Sequence, residues 1–122
     1  MPMKIAAFIT ALTLLVLAPL SGQAAGFFQS VNDLPLMEGL REVPEASLHY
    51  DKPEGRIVEL MARGEAGSGV SAQAVLEFYA RTLPQLGWLK LPEAYSRDGE
   101  VLRIRIVGEN GQLAVYLSIK PQ

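Results

Sequence analysis

The chain has 122 residues, of which 49% are hydrophobic and 20% charged. This is too apolar for intrinsic disorder, and the length fits one domain at most. Its formal net charge is −2 at pH 7, so it has little attraction for nucleic-acid phosphates or anionic membrane surfaces. There are no cysteines, which excludes disulfides, thiolate metal ligands and a cysteine nucleophile. We therefore expect a globular domain that binds no nucleic acid and is stabilised by its hydrophobic core alone.

Residues 1–24 predict a cleavable secretory signal peptide. Lys4 gives a positive start, residues 5–17 are apolar apart from threonines, and Pro19 ends the segment. Small residues follow, so cleavage is expected after Ala24 or Ala25. The apolar segment is shorter than the roughly 20 residues of a spanning helix, so we expect no stable membrane span after cleavage. Small domains of eukaryotic secretory routes tend to be rich in disulfides, so the periplasm is the expected compartment, with secretion as the alternative.

Residues 25–46 predict an irregular segment, because Pro35, Gly39 and Pro44 recur too often for a helix or a strand. The segment is nevertheless too apolar for a solvated linker. Two interpretations follow: it covers the open end of the core, or it forms an exposed apolar patch that binds a partner. The candidate partner contacts are Phe27, Phe28, Leu36, Met37 and Leu40.

Residues 47–122 predict an α+β domain that begins with a β-hairpin and a helix. The strands 47–51 and 56–63 flank turn residues at 52–55. Ser71 is a good helix N-cap, and the helix is expected from Ala72 to about Thr82, with a distorted last turn at Pro84. The apolar stripe of this helix consists of Val75, Leu76, Tyr79, Leu83 and Leu86.

The remaining chain predicts a meander of strands. Asp98-Gly99 is a strong two-residue hairpin signal, and residues 100–107 and 112–120 alternate between apolar and polar side chains on either side of a turn. We therefore predict a single helix on one face of a mostly antiparallel sheet of four or five strands, in the order β-β-α-β-β-β. The other sheet face should be solvated or serve as an interface, and it carries Arg103, Arg105, Tyr116 and Lys120.

Residues 75–88, V-L-E-F-Y-A-R-T-L-P-Q-L-G-W, resemble a pattern found in small exported bacterial domains. In these domains a hairpin precedes a helix ending in FY…L…GW, and a hairpin-rich half follows. The L-P-L-M-E-G-L stretch at 34–40 is similar to the LP…G opening of such domains. The resemblance covers nearly the whole chain after the leader. It implies this fold and an exported compartment, with no characterised activity and no site residues.

No cluster of reactive residues stands out along the chain. His49, the only histidine, lies on one strand face with Ser47 and Asp51, where their side chains run parallel and cannot converge as a catalytic triad. We predict a surface histidine, and no catalytic, metal-binding or cofactor-binding residue. Arg97, Arg103 and Arg105 are a candidate basic strip for an anion, because guanidinium groups bind carboxylate or phosphate in a bidentate fashion.

Together these patterns predict an exported, periplasmic, non-enzymatic domain that binds a partner, such as another protein of the cell envelope. It would bind through either the N-terminal apolar segment or the uncovered face of the sheet. The alternative is a small-ligand carrier or a small hydrolase-like enzyme with a pocket between helix and sheet.

Overall fold

The computed structural model describes residues 24–122 as a single helix packed against antiparallel β-strands. Apart from Ala24, the predicted signal peptide lies outside the described residues. The strands are β1 (Ala24–Phe27), β2 (Pro35–Met37), β3 (Leu40–Glu42), β4 (Leu48–Lys52), β5 (Gly55–Gly64), β6 (Leu89–Lys90), β7 (Tyr95–Arg97), β8 (Glu100–Glu109) and β9 (Gln112–Pro121), the helix is α1 (Ala72–Gln85), and a 3-10 turn spans Pro44–Ala46. Within residues 24–122, no helix is long and apolar enough to cross a membrane.

Seven of the strands form one antiparallel sheet in the order β3-β5-β9-β8-β7-β6, with β4 pairing β5 on the same side as β3. The three central strands β5, β9 and β8 are each 10 residues long. A separate two-stranded sheet joins β1 to β2. The α+β class with one helix is confirmed. The predicted count of four or five strands was wrong, because β3 and a β7 separate from β6 bring the main sheet to seven strands, and β1 and β2 form a second sheet.

Two tight turns fix the register of the central strands. Asp98-Gly99 joins β7 to β8 with φ angles of 48° and 78°, and Asn110-Gly111 joins β8 to β9 with φ angles of 49° and 77°. Two successive positive φ angles define the turn that matches the twist of a hairpin, and residues such as Asp, Asn and Gly tolerate them best. The local sequence therefore sets which side chains of β8 and β9 face the helix.

The helix begins where its capping residue predicts. The Ser71 hydroxyl accepts a hydrogen bond from the Ala74 amide at 3.1 Å. The helix continues through Pro84 to Gln85, beyond the predicted end, and its buried stripe differs from the predicted one. Leu76 and Leu86 are exposed, whereas Phe78 is buried. The stripe that faces the sheet follows the helical spacing more strictly and consists of Val75, Phe78, Tyr79 and Leu83.

The core lies between this helical stripe and one face of the central strands. Apolar residues that stand opposite each other on β5, β9 and β8 form three rows, each with one residue from every strand. Trp88, which follows the helix, is also buried. The rows are Val58–Ile119–Leu102, Leu60–Leu117–Ile104 and Ala62–Val115–Ile106.

The N-terminal segment belongs to this core instead of being irregular. Phe28 is 1% exposed and Leu34 is fully buried. The buried Tyr79 hydroxyl donates a hydrogen bond to the Pro35 carbonyl oxygen at 2.8 Å and so fixes β2 to the helix. Pro35 and Pro44 did not prevent ordered structure, because Pro35 is the first residue of β2 and Pro44 is the first residue of the 3-10 turn, two positions that tolerate proline.

Candidate functional site

One face of the main sheet has no helix against it within the described residues. We call it the open face. It presents the side chains that alternate with the core rows on β5, β9 and β8. Most of these side chains are polar, and the apolar Met61, Val101 and Ala114 among them are buried. The side chains of the open face include Glu59, Met61, Arg63, Val101, Arg103, Arg105, Val107, Ala114, Tyr116, Ser118 and Lys120.

The open face contains a shallow groove of about 300 Å³. Arg103 lies directly opposite Ser118, and Arg105 lies directly opposite Tyr116 on the paired strands β8 and β9. Three cationic side chains thus share the groove with a single carboxylate, that of Glu59. The groove is lined by Glu59, Leu60, Arg103, Arg105, Tyr116, Leu117, Ser118 and Lys120.

Tyr116 joins the groove to a small polar cluster at the end of the hairpin. The Arg105 guanidinium lies 4.3 Å from the centre of the Tyr116 ring, a cation–π contact. The Tyr116 hydroxyl donates to Glu109 Oε1 at 2.9 Å, and this hydrogen bond raises the pKa of Tyr116. Arg63 lies 4.0 Å from the same carboxylate. These contacts engage Glu109 and hold the tyrosine ring beneath Arg105.

Arg103 and Lys120 have no ion pair or hydrogen bond from any side chain in residues 24–122. Their charges point into a groove that already contains Ser118 as a hydroxyl donor. A guanidinium with free N–H groups accommodates a carboxylate or phosphate in a planar, two-bond arrangement. The chemistry of the groove therefore suits an anionic group.

Arg97 does not belong to this groove. It lies on the opposite face of the sheet from Arg103 and Arg105, which corrects the predicted strip of three arginines. Arg97 pairs with Glu100 across the Asp98-Gly99 turn, on the same face as the core residues Tyr95 and Leu102. Side chains two residues apart on a strand share a face, so Glu100 lies on the same face as the buried Leu102. Arg97 stands opposite Glu100 and therefore also lies on the helix side.

On the helix side, Arg97 is part of a network of charged residues that connects the N-terminal segment to the sheet. It donates to Asp33 Oδ2 at 2.9 Å and to the Leu86 carbonyl oxygen at 3.1 Å, and its guanidinium lies 4.3 Å from the Trp88 ring centre. Arg56 binds Glu100 through two hydrogen bonds of 2.7 and 3.1 Å. Its Nη2 also lies 3.6 Å from Asp33 Oδ2.

Asp33 is the only acid of the network that contacts two arginines. Partial burial raises the pKa of its carboxyl, but the hydrogen bond from Arg97 and the charges of Arg56 and Arg97 outweigh burial, so the pKa lies below its ordinary value. On Arg56, the hydrogen bond to Glu100 raises the pKa. The network is satisfied internally, so we assign it to stability.

Replacing Asp33 with asparagine is expected to lower the free energy of unfolding by about 1 kcal/mol at pH 7, because the site is only partly shielded from solvent. A lowered pKa in the folded state contributes stability above the pKa of the unfolded carboxyl, about 3.9. That contribution is lost as the pH falls through the folded-state pKa. Urea titrations at pH 7 and at about pH 2.5 check this: the two proteins should differ at pH 7 and converge at low pH.

The matched control is Glu54→Gln in the exposed loop between β4 and β5, which should unfold like the unmodified chain at both pH values. A difference between Asp33→Asn and the unmodified chain that persisted unchanged at low pH would contradict the ionic role of Asp33.

The five predicted partner contacts do not form one exposed patch. Phe28, Met37 and Leu40 are buried at 1%, 4% and 2% exposure, and Leu36 is half-buried against the core. Only Phe27 is exposed, at 53%. Of the two interpretations of this segment, its observed placement is that of a cover over the core. Those three buried side chains are not accessible to a partner.

His49 lies on β4, the exposed edge strand, and Asp51 on the same side of that strand is exposed too. Neither lines the groove of the open face. Within residues 24–122, no three His, Asp or Glu side chains converge to hold a metal ion.

A second, larger groove of about 550 Å³ lies between one side of the helix and the β6–β8 end of the sheet. Leu76, Tyr95 and Ile104 form part of its apolar wall, and Lys90 and Glu77 are among its charged residues. Because charges of both signs surround it, this groove selects no particular ligand class.

Sequence reasoning placed Tyr116 and Lys120 on the uncovered face, but it missed Glu59 and Ser118 as members of the groove. The signal was present, because the strict alternation of β9 puts Ser118 and Lys120 on the same face as Tyr116. Pairing of β5 beside β9 then adds Glu59 opposite Ser118. That strand order is a property of the tertiary structure.

Comparison with known proteins gives no relative for this chain. No protein-family model matches it, and no curated protein and no solved structure is significantly similar to it. The function of the chain therefore has to be inferred from its own geometry.

Proposed function

We propose that this chain is an exported, periplasmic binding domain without catalytic activity. Its groove on the open face would bind an acidic segment of another envelope protein. The observation that carries the proposal is the pair of unengaged cations, Arg103 and Lys120, beside Arg105 in one groove. Export is supported by the leader pattern of residues 1–24, namely Lys4, an apolar stretch and small residues before Ala24.

The charge distribution favours an acidic protein segment over a nucleic acid. The whole chain carries a net charge of −2, so it repels polyanions at long range and attracts a carboxylate only close to the groove. Glu59 at one wall adds a negative charge, which disfavours a ligand that is charged along its whole length. A segment with one or two carboxylates spaced by neutral residues fits this pattern.

The shape of the site favours a chain segment over a small molecule. A sheet face of long strands gives a shallow, extended surface, whereas small-molecule sites are concave and enclose most of the ligand. The alternative function, a carrier or hydrolase-like enzyme, requires a pocket between helix and sheet. In the described part of the chain, the large buried side chains of Phe78, Tyr79 and Trp88 fill the centre of that layer. The groove at the edge of the layer has one cation and two carboxylates, whereas the open-face groove has three cations and one carboxylate. The open-face groove is therefore the better candidate for an anionic ligand.

The test is to measure binding of a fluorescein-labelled peptide that alternates glutamate with serine, by anisotropy at low ionic strength. Replacing both Arg103 and Lys120 with glutamate is expected to weaken binding about 100-fold, since each charge-assisted hydrogen bond contributes about 1.5–3 kcal/mol. Affinity for the unmodified chain should also fall as salt is added.

The matched control is Arg81→Glu with Lys90→Glu, two exposed cations on the helix side, which changes the net charge by the same amount. This control should retain most of the affinity. If the two double variants lost affinity equally, binding would depend on overall charge and the groove would not be the site.

If the control keeps its affinity, crosslinking from Ser118→Cys in the groove, carried out in an envelope extract, would identify the natural partner.

A further inference from the structure

Strand β4 has an unpaired edge. It pairs only with β5 among the described strands, and all five of its residues are exposed. Leu48 and Tyr50 are exposed at 45% and 42% although both are large apolar side chains. An edge of this kind offers free backbone N–H and C=O groups to another strand.

The hairpin geometry determines which backbone groups of β4 point outward. Lys52 and Gly55 flank a two-residue loop and face each other, and the pair that closes such a hairpin is hydrogen-bonded. Hydrogen-bonded and non-hydrogen-bonded pairs alternate along an antiparallel ladder. The backbone groups of Leu48, Tyr50 and Lys52 therefore point to β5, and those of His49 and Asp51 point to the free edge.

We infer that β4 pairs antiparallel with β4 of a second copy of this chain, about a two-fold axis at Tyr50. In that register, His49 of each copy stands opposite Asp51 of the other, and each opposed pair can exchange two backbone hydrogen bonds. A carboxylate can accept a hydrogen bond from an imidazole N–H even when the ring is neutral, and polar cross-strand pairs of this kind stabilise a sheet. This inference rests on β4 and is independent of the function proposed for the groove.

The two neighbouring registers with outward backbone groups are less favourable. An axis at His49 sets imidazole against imidazole, and an axis at Asp51 sets carboxylate against carboxylate. Two carboxylates directly opposite each other destabilise strand pairing, and two imidazoles lack the carboxylate acceptor of the His49–Asp51 pair. Asp51 also lies opposite Arg56 within its own chain, so in the Tyr50 register it stands between Arg56 and the His49 of the second copy.

The same register covers the exposed apolar residues of the edge. Tyr50 stands opposite Tyr50 of the second copy, and Leu48 stands opposite its Lys52. Both Tyr50 and Leu48 lie on the open-face side, because they pair with Ile57 and Glu59 of β5. A two-fold axis perpendicular to the sheet keeps both open faces on the same side, so the dimer would present two grooves to one partner.

A cysteine scan reads this register directly, because the chain has no cysteine of its own. In the Tyr50 register, Tyr50→Cys alone meets itself, at about 4.5 Å between Cα atoms, which is within the range of a disulfide. We expect Tyr50→Cys to form a disulfide-linked dimer on mild oxidation at about 0.1 mM protein, a concentration at which weak interfaces associate. A mixture of Leu48→Cys and Lys52→Cys chains should give the heterodimer.

The controls are His49→Cys, Asp51→Cys and Leu89→Cys. The last is on the edge strand β6 and is the most exposed large apolar residue in the described part of the chain, at 68%, so it measures random collision. All three should form disulfide-linked dimers at least about ten times more slowly than Tyr50→Cys, because only the Tyr50→Cys dimer holds its two thiols next to each other. A rate for Tyr50→Cys equal to that of Leu89→Cys would overturn dimerisation through β4, and faster dimers from His49→Cys or Asp51→Cys would overturn the register.

Exchanging the two residues tests the His49–Asp51 pairing without cysteines. His49→Asp sets two carboxylates against each other, and Asp51→His sets two imidazoles against each other, so each single variant should dimerise more weakly by sedimentation. The double variant His49→Asp/Asp51→His restores opposite partners and should recover the affinity of the unmodified chain. Failure of the double variant to recover would contradict the proposed pairing.

Discussion

Replacing Phe28 with alanine is expected to lower the free energy of unfolding by about 3–5 kcal/mol, the cost of deleting a buried phenylalanine and leaving a cavity. Phe28 is 1% exposed within the same core as Leu34 and the helix residue Tyr79. Its amide also donates to the Leu34 carbonyl oxygen at 3.0 Å. The expected loss of free energy of unfolding is therefore as large as for a buried residue of a central strand, although Phe28 lies in a segment predicted to be irregular.

The neighbouring Phe27→Ala is the matched control, because Phe27 is 53% exposed. This variant should change the free energy of unfolding by at most about 0.5 kcal/mol. Urea unfolding at 25 °C with a common m value measures both. If Phe28→Ala is too unstable to purify, Phe28→Leu is the milder variant to measure, and it should lose less free energy of unfolding. Equal and small effects at positions 27 and 28 would contradict the packing of the N-terminal segment into the core.

Gly39→Ala is expected to cost about 2–4 kcal/mol, because it combines backbone strain with a steric clash. Gly39 has φ of +92° in the turn between β2 and β3, and a Cβ there would lie 2.5 Å from Val70 Cγ2. The Gly39 carbonyl oxygen accepts a hydrogen bond from the Glu65 amide at 2.8 Å, so the turn cannot move away freely. The clash would separate the N-terminal segment from the connector before the helix.

Gly67→Ala separates these two causes, because Gly67 has φ of +76° but no atom within 4 Å of a built Cβ. It should cost only about 1 kcal/mol, from the backbone alone. In a Val70→Ala background the cost of Gly39→Ala should fall by about 1–2 kcal/mol, since the obstructing methyl is gone. An unchanged cost in that background would show that the clash with Val70 is not the cause.

Local chemistry in the sequence determined the elements of the second half of the chain. Asp98-Gly99 and Asn110-Gly111 supply the positive φ angles of their hairpins, and Ser71 supplies the helix cap. The alternation of β9 predicted that Leu113, Val115, Leu117 and Ile119 face inward, and they do. Patterns with a period of two, bounded by turn residues, need no information from distant parts of the chain.

The N-terminal strands and the site depended on contacts between distant residues. Local composition could not show that Phe28, Met37 and Leu40 are buried, because the core that covers them is built by the helix and the sheet. The position of Arg97 has a local cause instead, because the two-residue turn at Asp98-Gly99 pairs Arg97 with Glu100, on the opposite face from Arg103.

The sequence by itself determined the α+β class, the hairpins, the helix start and the polar character of one sheet face. Only the tertiary structure decided that Glu59 of β5 lines the groove beside Arg103 and Arg105, since that follows from strand order and register. It also decided that β4 remains at an edge. The physical reason is that periodicity and turn chemistry act over a few residues, whereas the pairing of β5 with β9 joins positions more than 50 residues apart in sequence, such as Val58 and Ile119.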